Sequence, residues 1–346
     1  MGKYYVVADF GSGNTKISAY RKVQSGYELF SGAIFKTSAT GLKNSETLQT
    51  FSQSLRRLNL KSGELYVILP EDDENVLSSE ADYPVGNKKE LDGIVKNNLA
   101  SMLKEDESLY YHSWRLVKPY SSGQGLFQIA AVRKEYIDTI HEIAEQHKLK
   151  LCYADLAANT VENLYRLIKN DKKHGLSSND DASVIVEVGH RSVRVVAFSR
   201  EAVIRTSAAV HNLYRMDKLI LDSLHDLKND QKINLELLKM NPAYALRVSQ
   251  YEGFLNSLSA DIIRFIKQSV SGEERYNLNS VYFTGGMYKT PKLVSTIKES
   301  FDVPCYAFPI GDYMHMSENC IHHADNKLYP SEDVFAPSLG ALIGGF

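Results

Sequence analysis

The sequence predicts an α/β protein of two domains, and three observations predict it. An apolar strand runs into a glycine-rich turn at Val6 to Tyr20, VVADFGSGNTKISAY. The same pattern returns at Ser183 to Phe198, SVIVEVGHRSVRVVAF. A strand, a glycine pair and a helix start follow between Ser280 and Phe301. Two similar hairpins, one opening each half, suggest an internal duplication with a ligand held between the halves.

Length and composition bound the class. At 346 residues the chain exceeds one ordinary core, so two domains are the natural expectation. A formal net charge of −2, with no dense Lys/Arg block, argues against a nucleic-acid partner. Cys152, Cys305 and Cys320 are scattered and odd in number, as in a reducing cytoplasm, and are expected to be buried small hydrophobes. The N-terminus enters a strand at once and no apolar run has the length of a membrane span, so the expectation is a soluble cytoplasmic protein without a signal peptide. Val6 stands where a myristoylation signal would carry Ser or Thr.

The first hairpin has the parts of a phosphate cradle. Gly11 and Gly13 free the backbone to bend and bring amide N–H groups close to an anion. Asp9 stands before the turn, where a carboxylate could hold a hydrated divalent cation, and Lys16 adds a point charge that suits a phosphate. It is neither a Walker A loop, which needs Gly-Lys-Ser/Thr, nor a dinucleotide fingerprint, which would need glycine at position 16. Both of those open a helix, whereas Ile17 to Val23 reads as a strand. From this stretch alone, a plain hairpin with no ligand stays equally open.

Further along, residues 31–50 are polar and read as loop. Glu64 to Pro70, ELYVILP, is a buried strand, and Asp72, Asp73 and Glu74 read as a solvated turn. A helix is expected over 88–104, with Leu91, Ile94, Val95, Leu99, Met102 and Leu103 on one face. Alternating strands at 110–117 and 125–132 and a helix at 134–147 complete a compact unit within about 60–150. The segment 151–168 begins as a strand and turns helical near Asn159. The polar run NDKKHGLSSNDD, 170–181, is the domain linker, dividing a first domain at 1–169 from a second at 182–329.

The second hairpin places Glu187 where Asp9 stood and Gly189 where Gly11 stood. Helical pattern dominates 213–268, giving a helical subdomain at about 213–275. Val281 to Phe283 form a strand, Gly285-Gly286 a turn, and Thr290-Pro291 an N-cap and first helical residue. Such a glycine pair lets a flat ring lie against bare backbone, though an ordinary strand–helix turn would look the same. His315, Cys320, His322 and His323 match no zinc spacing and read better as a polar surface loop.

Taken in order, the three pieces resemble the actin-like ATPase superfamily. The resemblance implies an actin-like (ribonuclease H-like, duplicated) fold with two domains around a nucleotide cleft. Asp9, Gly11, Ser12, Gly13, Asn14, Thr15 and Lys16 would form its first phosphate motif. Gly189, His190, Arg191 and Ser192 would form the second, and Gly285, Gly286 and Met287 the adenosine motif. ATP or ADP with Mg2+ is the implied ligand, the metal held by Asp9 and Glu187, with Asn159 and Glu187 in the catalytic positions. Tyr153 to Tyr165 and Ala336 to Gly344 resemble the two linking helices, so that 330–346 would return to the first domain.

The unit at 60–150 is similar to the inserted subdomain of the type IV pilus PilM family and the cell-division FtsA family. FtsA-like chains end in an amphipathic membrane-targeting helix, whereas this sequence stops at Phe346 after the second linking segment, which favours PilM. That family implies a cytoplasmic, ATP-binding scaffold of pilus assembly. It would dock the N-terminal tail of a PilN-like inner-membrane protein, meet other assembly proteins, and reach the membrane only through its partner. Self-association stays open, as do an FtsA-like or plasmid-segregation filament and, more remotely, a small-molecule kinase. Glu187 for Asp, the bulky His190-Arg191 turn and Asn159 for a water-positioning Gln or Glu imply weak or absent ATP hydrolysis.

Overall fold

Two sheets with the same strand plan frame the molecule. The computed structural model describes residues 3–24, 26–37, 45–71, 73–103, 105–169, 171, 173–176, 178–211, 249–271, 276–290, 292–322 and 332–345. The first sheet contains β1 (Tyr4–Phe10), β2 (Asn14–Val23), β3 (Gly26–Lys36), β4 (Gly63–Leu69), β8 (Leu149–Leu156) and β14 (Met314–His322). The second contains β9 (Asp181–Val188), β10 (Ser192–Ser199), β11 (Val203–Val210), β12 (Asn277–Thr284) and β13 (Cys305–Ala307). Their orders are β14-β3-β2-β1-β4-β8 and β11-β10-β9-β12-β13. In each, an antiparallel meander of three strands is extended by two strands parallel to its first. The duplication read in the sequence is therefore a duplication of topology.

Burial on both faces explains the apolar character of the first strand in each half. Val6, Ala8 and Phe10 of β1 pack with Phe51 and Leu55 of α1 (Ser45–Leu58) and with Tyr136, Ile140 and Ala144 of α3 (Lys134–Gln146). The alternate residues Tyr5 and Val7 face a core shared by both sheets. That core also takes Ile185, Val196 and Phe198 from the second sheet, and Val161, Leu339 and Leu342 from α4 (Ala157–Asn163) and α8 (Ala336–Gly344). On the outer face of the second sheet, Val184, Val186 and Val188 meet Leu255, Leu258, Ile262 and Ile266 of α6 (Ser249–Val270).

The two helices in the shared core touch almost backbone to backbone. A Cβ at Gly340 would lie 1.8 Å from the Thr160 carbonyl oxygen, and one at Gly344 would lie 2.0 Å from Asn163 Nδ2. Glycine is required here for close approach.

A third, smaller sheet has the order β5-β7-β6, from β5 (Val76–Pro84), β6 (Tyr110–Pro119) and β7 (Gln124–Arg133). The helix α2 (Lys88–Met102) covers it, burying Leu91, Val95 and Leu99 against Tyr83, Phe127 and Ile129. Asn87 caps α2 by accepting a 3.0 Å hydrogen bond from the Glu90 amide. The flanking β4 and α3 pack into the first sheet and its core.

Several expectations are corrected. The polar stretch 31–50 carries the end of β3 and the start of α1, whose buried face includes Thr47 and Ser54 besides Phe51 and Leu55. The strand β5, unforeseen, lies at the edge of the small sheet. The helix after the glycine pair, α7 (Leu293–Lys298), is capped by Lys292 at φ 64° and not by Thr290, and Pro291 lies outside the described residues. Cys152 is exposed and Cys305 only partly buried, because both lie on strands at or beside a sheet edge. His315 sits on a strand, β14, paired in parallel with β3, not in a loop. The side chains of Cys320 and His322, all of His323, and 212–248 of the expected helical subdomain lie outside the described residues.

Candidate functional site

The first hairpin is held rigidly from β3. Phe10 pairs with Thr15, closing the turn at 11–13. The Thr37 hydroxyl donates to the Gly11 carbonyl at 2.7 Å, and its amide donates to the Gly13 carbonyl at 3.1 Å. The same hydroxyl shares a 2.9 Å hydrogen bond with Thr15. A Cβ at Gly11 would lie 2.8 Å from the Asn14 carbonyl oxygen, which is why the turn needs glycine. Ser12 and Asn14 are half-buried beside it. Asp9 and Lys16 are cross-strand partners, and Lys16 Nζ donates to Asp9 Oδ2 at 2.6 Å.

The second hairpin meets the first. The Gly189 amide donates to the Ser192 carbonyl at 2.9 Å, and His190 lies against Gly13, where a Cβ would fall 2.4 Å from its Nδ1. Arg191 and Ser192 are half-buried in the same turn. The glycine pair docks on the end of β9: Gly285 has φ +93°, a Cβ there would lie 2.5 Å from the Val188 carbonyl oxygen, and Met287 N donates to that oxygen at 3.0 Å. A Cβ at Gly286 would meet nothing within 4 Å, so this backbone faces open space. The Met287 side chain instead joins the second domain's core.

Between the hairpins lies a buried guanidinium. Arg194 is opposite Glu187 in the ladder and 6% exposed. Its Nη1 donates to Glu187 Oε2 at 2.5 Å, while Nη2 and Nε donate to Glu71 Oε2 at 2.8 and 3.1 Å. Burial alone would lower its pKa, but Glu187 and Glu71 outweigh that and hold it raised. Glu71, just past β4, also accepts from the Ala158 amide in the first turn of α4 at 3.2 Å. The cluster therefore joins the first sheet, the second sheet and α4.

A second polar chain joins the small sheet to the same helix. Arg115 of β6 donates to Asn159 Oδ1 at 2.8 Å, to Glu162 Oε2 at 2.5 Å and to Gln128 Oε1 at 2.7 Å. Asn159 Nδ2 donates to Asp155 Oδ1 at 2.6 Å, and Thr206 of β11 donates to Glu162 Oε1 at 2.7 Å. Both ends of the Asn159 amide are thus engaged. Glu80, facing this chain, has its pKa raised by burial and by Glu162 and Glu71, against Arg115.

The sequence reading brought out the hairpins, the glycine pair and Asn159, all of which lie around this cleft. It missed Glu71, Arg194, Arg115 and Glu162. One signal was present: Arg194 follows Glu187 at the spacing by which Lys16 follows Asp9. A separate groove of about 580 Å³ opens between α2 and β6, lined by Lys88, Asp92, Gly93, Lys96, His112 and Trp114. Trp114 Nε1 donates to Asp92 Oδ1 at 2.7 Å at its wall, and β6 pairs with β7 alone in the sheet order.

No protein-family model and no curated protein sequence matches the chain. Among solved structures it is similar to a chain of a PilM-PilN type IV pilus biogenesis complex, with TM-score 0.70 and 16% identity over 100% of this chain and 98% of that one. It is also similar to the ethanolamine utilization protein EutJ from Carboxydothermus hydrogenoformans, with TM-score 0.51 and 11% identity over 99% and 91%. The chain has the actin-like fold. Actin-like proteins bind nucleotide, generally with Mg2+. At Glu187, read as a second metal ligand, Arg194 already holds one carboxylate oxygen, Oε2.

Replacing Arg194 by Met should destabilise the protein by roughly 3–5 kcal/mol, because it leaves the buried Glu187 carboxylate without its partner and takes one from half-buried Glu71. Urea denaturation checks this. The triple change Glu71→Gln, Glu187→Leu, Arg194→Met should recover most of the loss.

Proposed function

We propose that this chain is an actin-like scaffold of type IV pilus assembly that binds adenine nucleotide in its cleft and docks the N-terminal tail of a PilN-like membrane protein. The observation that carries the reading is the end-to-end likeness to a chain of a PilM-PilN complex, which leaves no part of this chain unmatched, the small sheet included. Among the described residues no helix is long and apolar enough to cross a membrane. In this reading a partner brings this part of the chain to the membrane surface.

In the cleft, the turn at 11–13 and Lys16 would take the phosphates, with the backbone at Gly189 to Ser192 facing them. Gly285 and Gly286 would take the adenine ring, Met287 contributing its amide to the turn. Asn159 would serve as a structural tie, since Asp155 and Arg115 occupy its amide. Without a free group to orient water, hydrolysis would be slow.

The tail would lie in the groove between α2 and the edge strand β6. An extended peptide adds to such an edge by main-chain hydrogen bonds and reads the adjacent pocket with alternate side chains.

Three measurements test this reading. Calorimetry should detect ADP and ATP binding, weakened by roughly 10- to 150-fold in Lys16→Ala, the loss of one charge-assisted contact worth about 1.5–3 kcal/mol. No binding to the wild type would remove the nucleotide from the proposal. Phosphate release from ATP should stay far below the enzyme median of about 10 per second, and turnover near that figure would contradict the role given to Asn159. A synthetic tail of the cognate PilN-like protein should bind the full chain and fail to bind Gly93→Trp. Gly93 lines the groove and a Cβ there meets nothing within 4 Å, so the new side chain starts into the groove from open space. Tail binding that survives it would put the docking site elsewhere.

A further inference from the structure

Each hairpin carries its own cation. Lys16 lies across the ladder from Asp9, and Arg194 lies across from Glu187. The two pairs differ in kind. Lys16 is a point charge on a flexible stem, 16% exposed at its side chain, which can swing toward a ligand. Arg194 is a planar fork, and its side chain is 7% exposed between two carboxylates. Every one of its three nitrogens donates to Glu187 or Glu71.

That geometry opposes a metal ion at the two carboxylate oxygens Arg194 holds, Glu187 Oε2 and Glu71 Oε2. Mg2+ requires about six oxygen ligands near 2.0–2.1 Å in an octahedron. An ion bound to Glu187 Oε2 would sit against Nη1, which is 2.5 Å from that oxygen, and would carry like charge. Arginine remains charged at any pH the fold survives, so it cannot yield by losing a proton. Moving it away would strand the buried Glu187 carboxylate and take a partner from half-buried Glu71. The duplicated position also spans the cleft, because Glu71 belongs to the first sheet's side and Glu187 to the second sheet.

We infer that Arg194 stands in for the divalent cation at the second hairpin, so that Glu71 and Glu187 clasp the two halves together without metal. This rests on the nucleotide reading only for where a ligand would enter. Glu187 is then a positioning residue for Arg194, and any phosphate ligand enters with no metal ion bound to Glu187.

The test uses the full chain with metal alone and no nucleotide. Mn2+ uptake followed by electron paramagnetic resonance should be the same in the wild type and Glu187→Gln. Arg194→Met should gain affinity by at least about tenfold, as two carboxylates come free. Wild-type uptake that falls by about tenfold or more in Glu187→Gln would overturn the inference. Thermal unfolding of the wild type should show the same midpoint in Mg2+ and in EDTA. A midpoint raised by Mg2+ in the wild type and not in Glu187→Gln would also overturn it. Because neither measurement contains nucleotide, loss of the nucleotide reading would leave this result standing, and the reverse.

Discussion

The contact on which the arrangement of this protein depends is the buried guanidinium of Arg194 between Glu71 and Glu187. Burying Arg194 and Glu187 with half-buried Glu71 is costly, and such a cluster adds little net stability compared with apolar packing. Its effect is selective. Glu71 must leave β4 at one height, α4 must offer the Ala158 amide to it, and β10 must present Arg194 opposite Glu187. Any other relation of the two sheets leaves a charge buried without a partner. The apolar core between the sheets supplies adhesion, and the ion cluster selects one alignment from the many that such adhesion would permit.

Arg115 extends that selection to the small sheet. It leaves β6, meets Asn159 and Glu162 on α4, and through Glu162 reaches Thr206 in the second sheet. The edge strand that borders the groove is therefore tied to the helix between the main sheets.

Local patterns were legible in the sequence, and long-range pairings were not. Both hairpins and the glycine pair announce themselves because glycine at a turn and apolar residues on a doubly buried strand are local requirements. The helix α1 was hidden because Ser and Thr fill much of its face, and Thr47 and Ser54 are buried as readily as Phe51. The EDDE run beginning at Glu71 looks like a solvated turn, which suits Asp73: it caps the turn by accepting from the Asn75 amide at 2.9 Å. Only the position of Glu71 at the end of a parallel strand, where α/β sheets build their sites, set it apart. Arg194 reads as one more residue of an alternating strand until its partner, 123 positions away, is brought beside it.

The crossing of α4 and α8 limits how the halves could ever move. Packed helices slide past one another when side chains between them can change rotamer, which is how shear motions are accommodated. At Gly340 and Thr160 no side chain lies between the two backbones. Translation there would drive a carbonyl into a Cα, whereas rotation about the point of contact would not. The joint therefore resists sliding of one helix along the other more than turning about the contact.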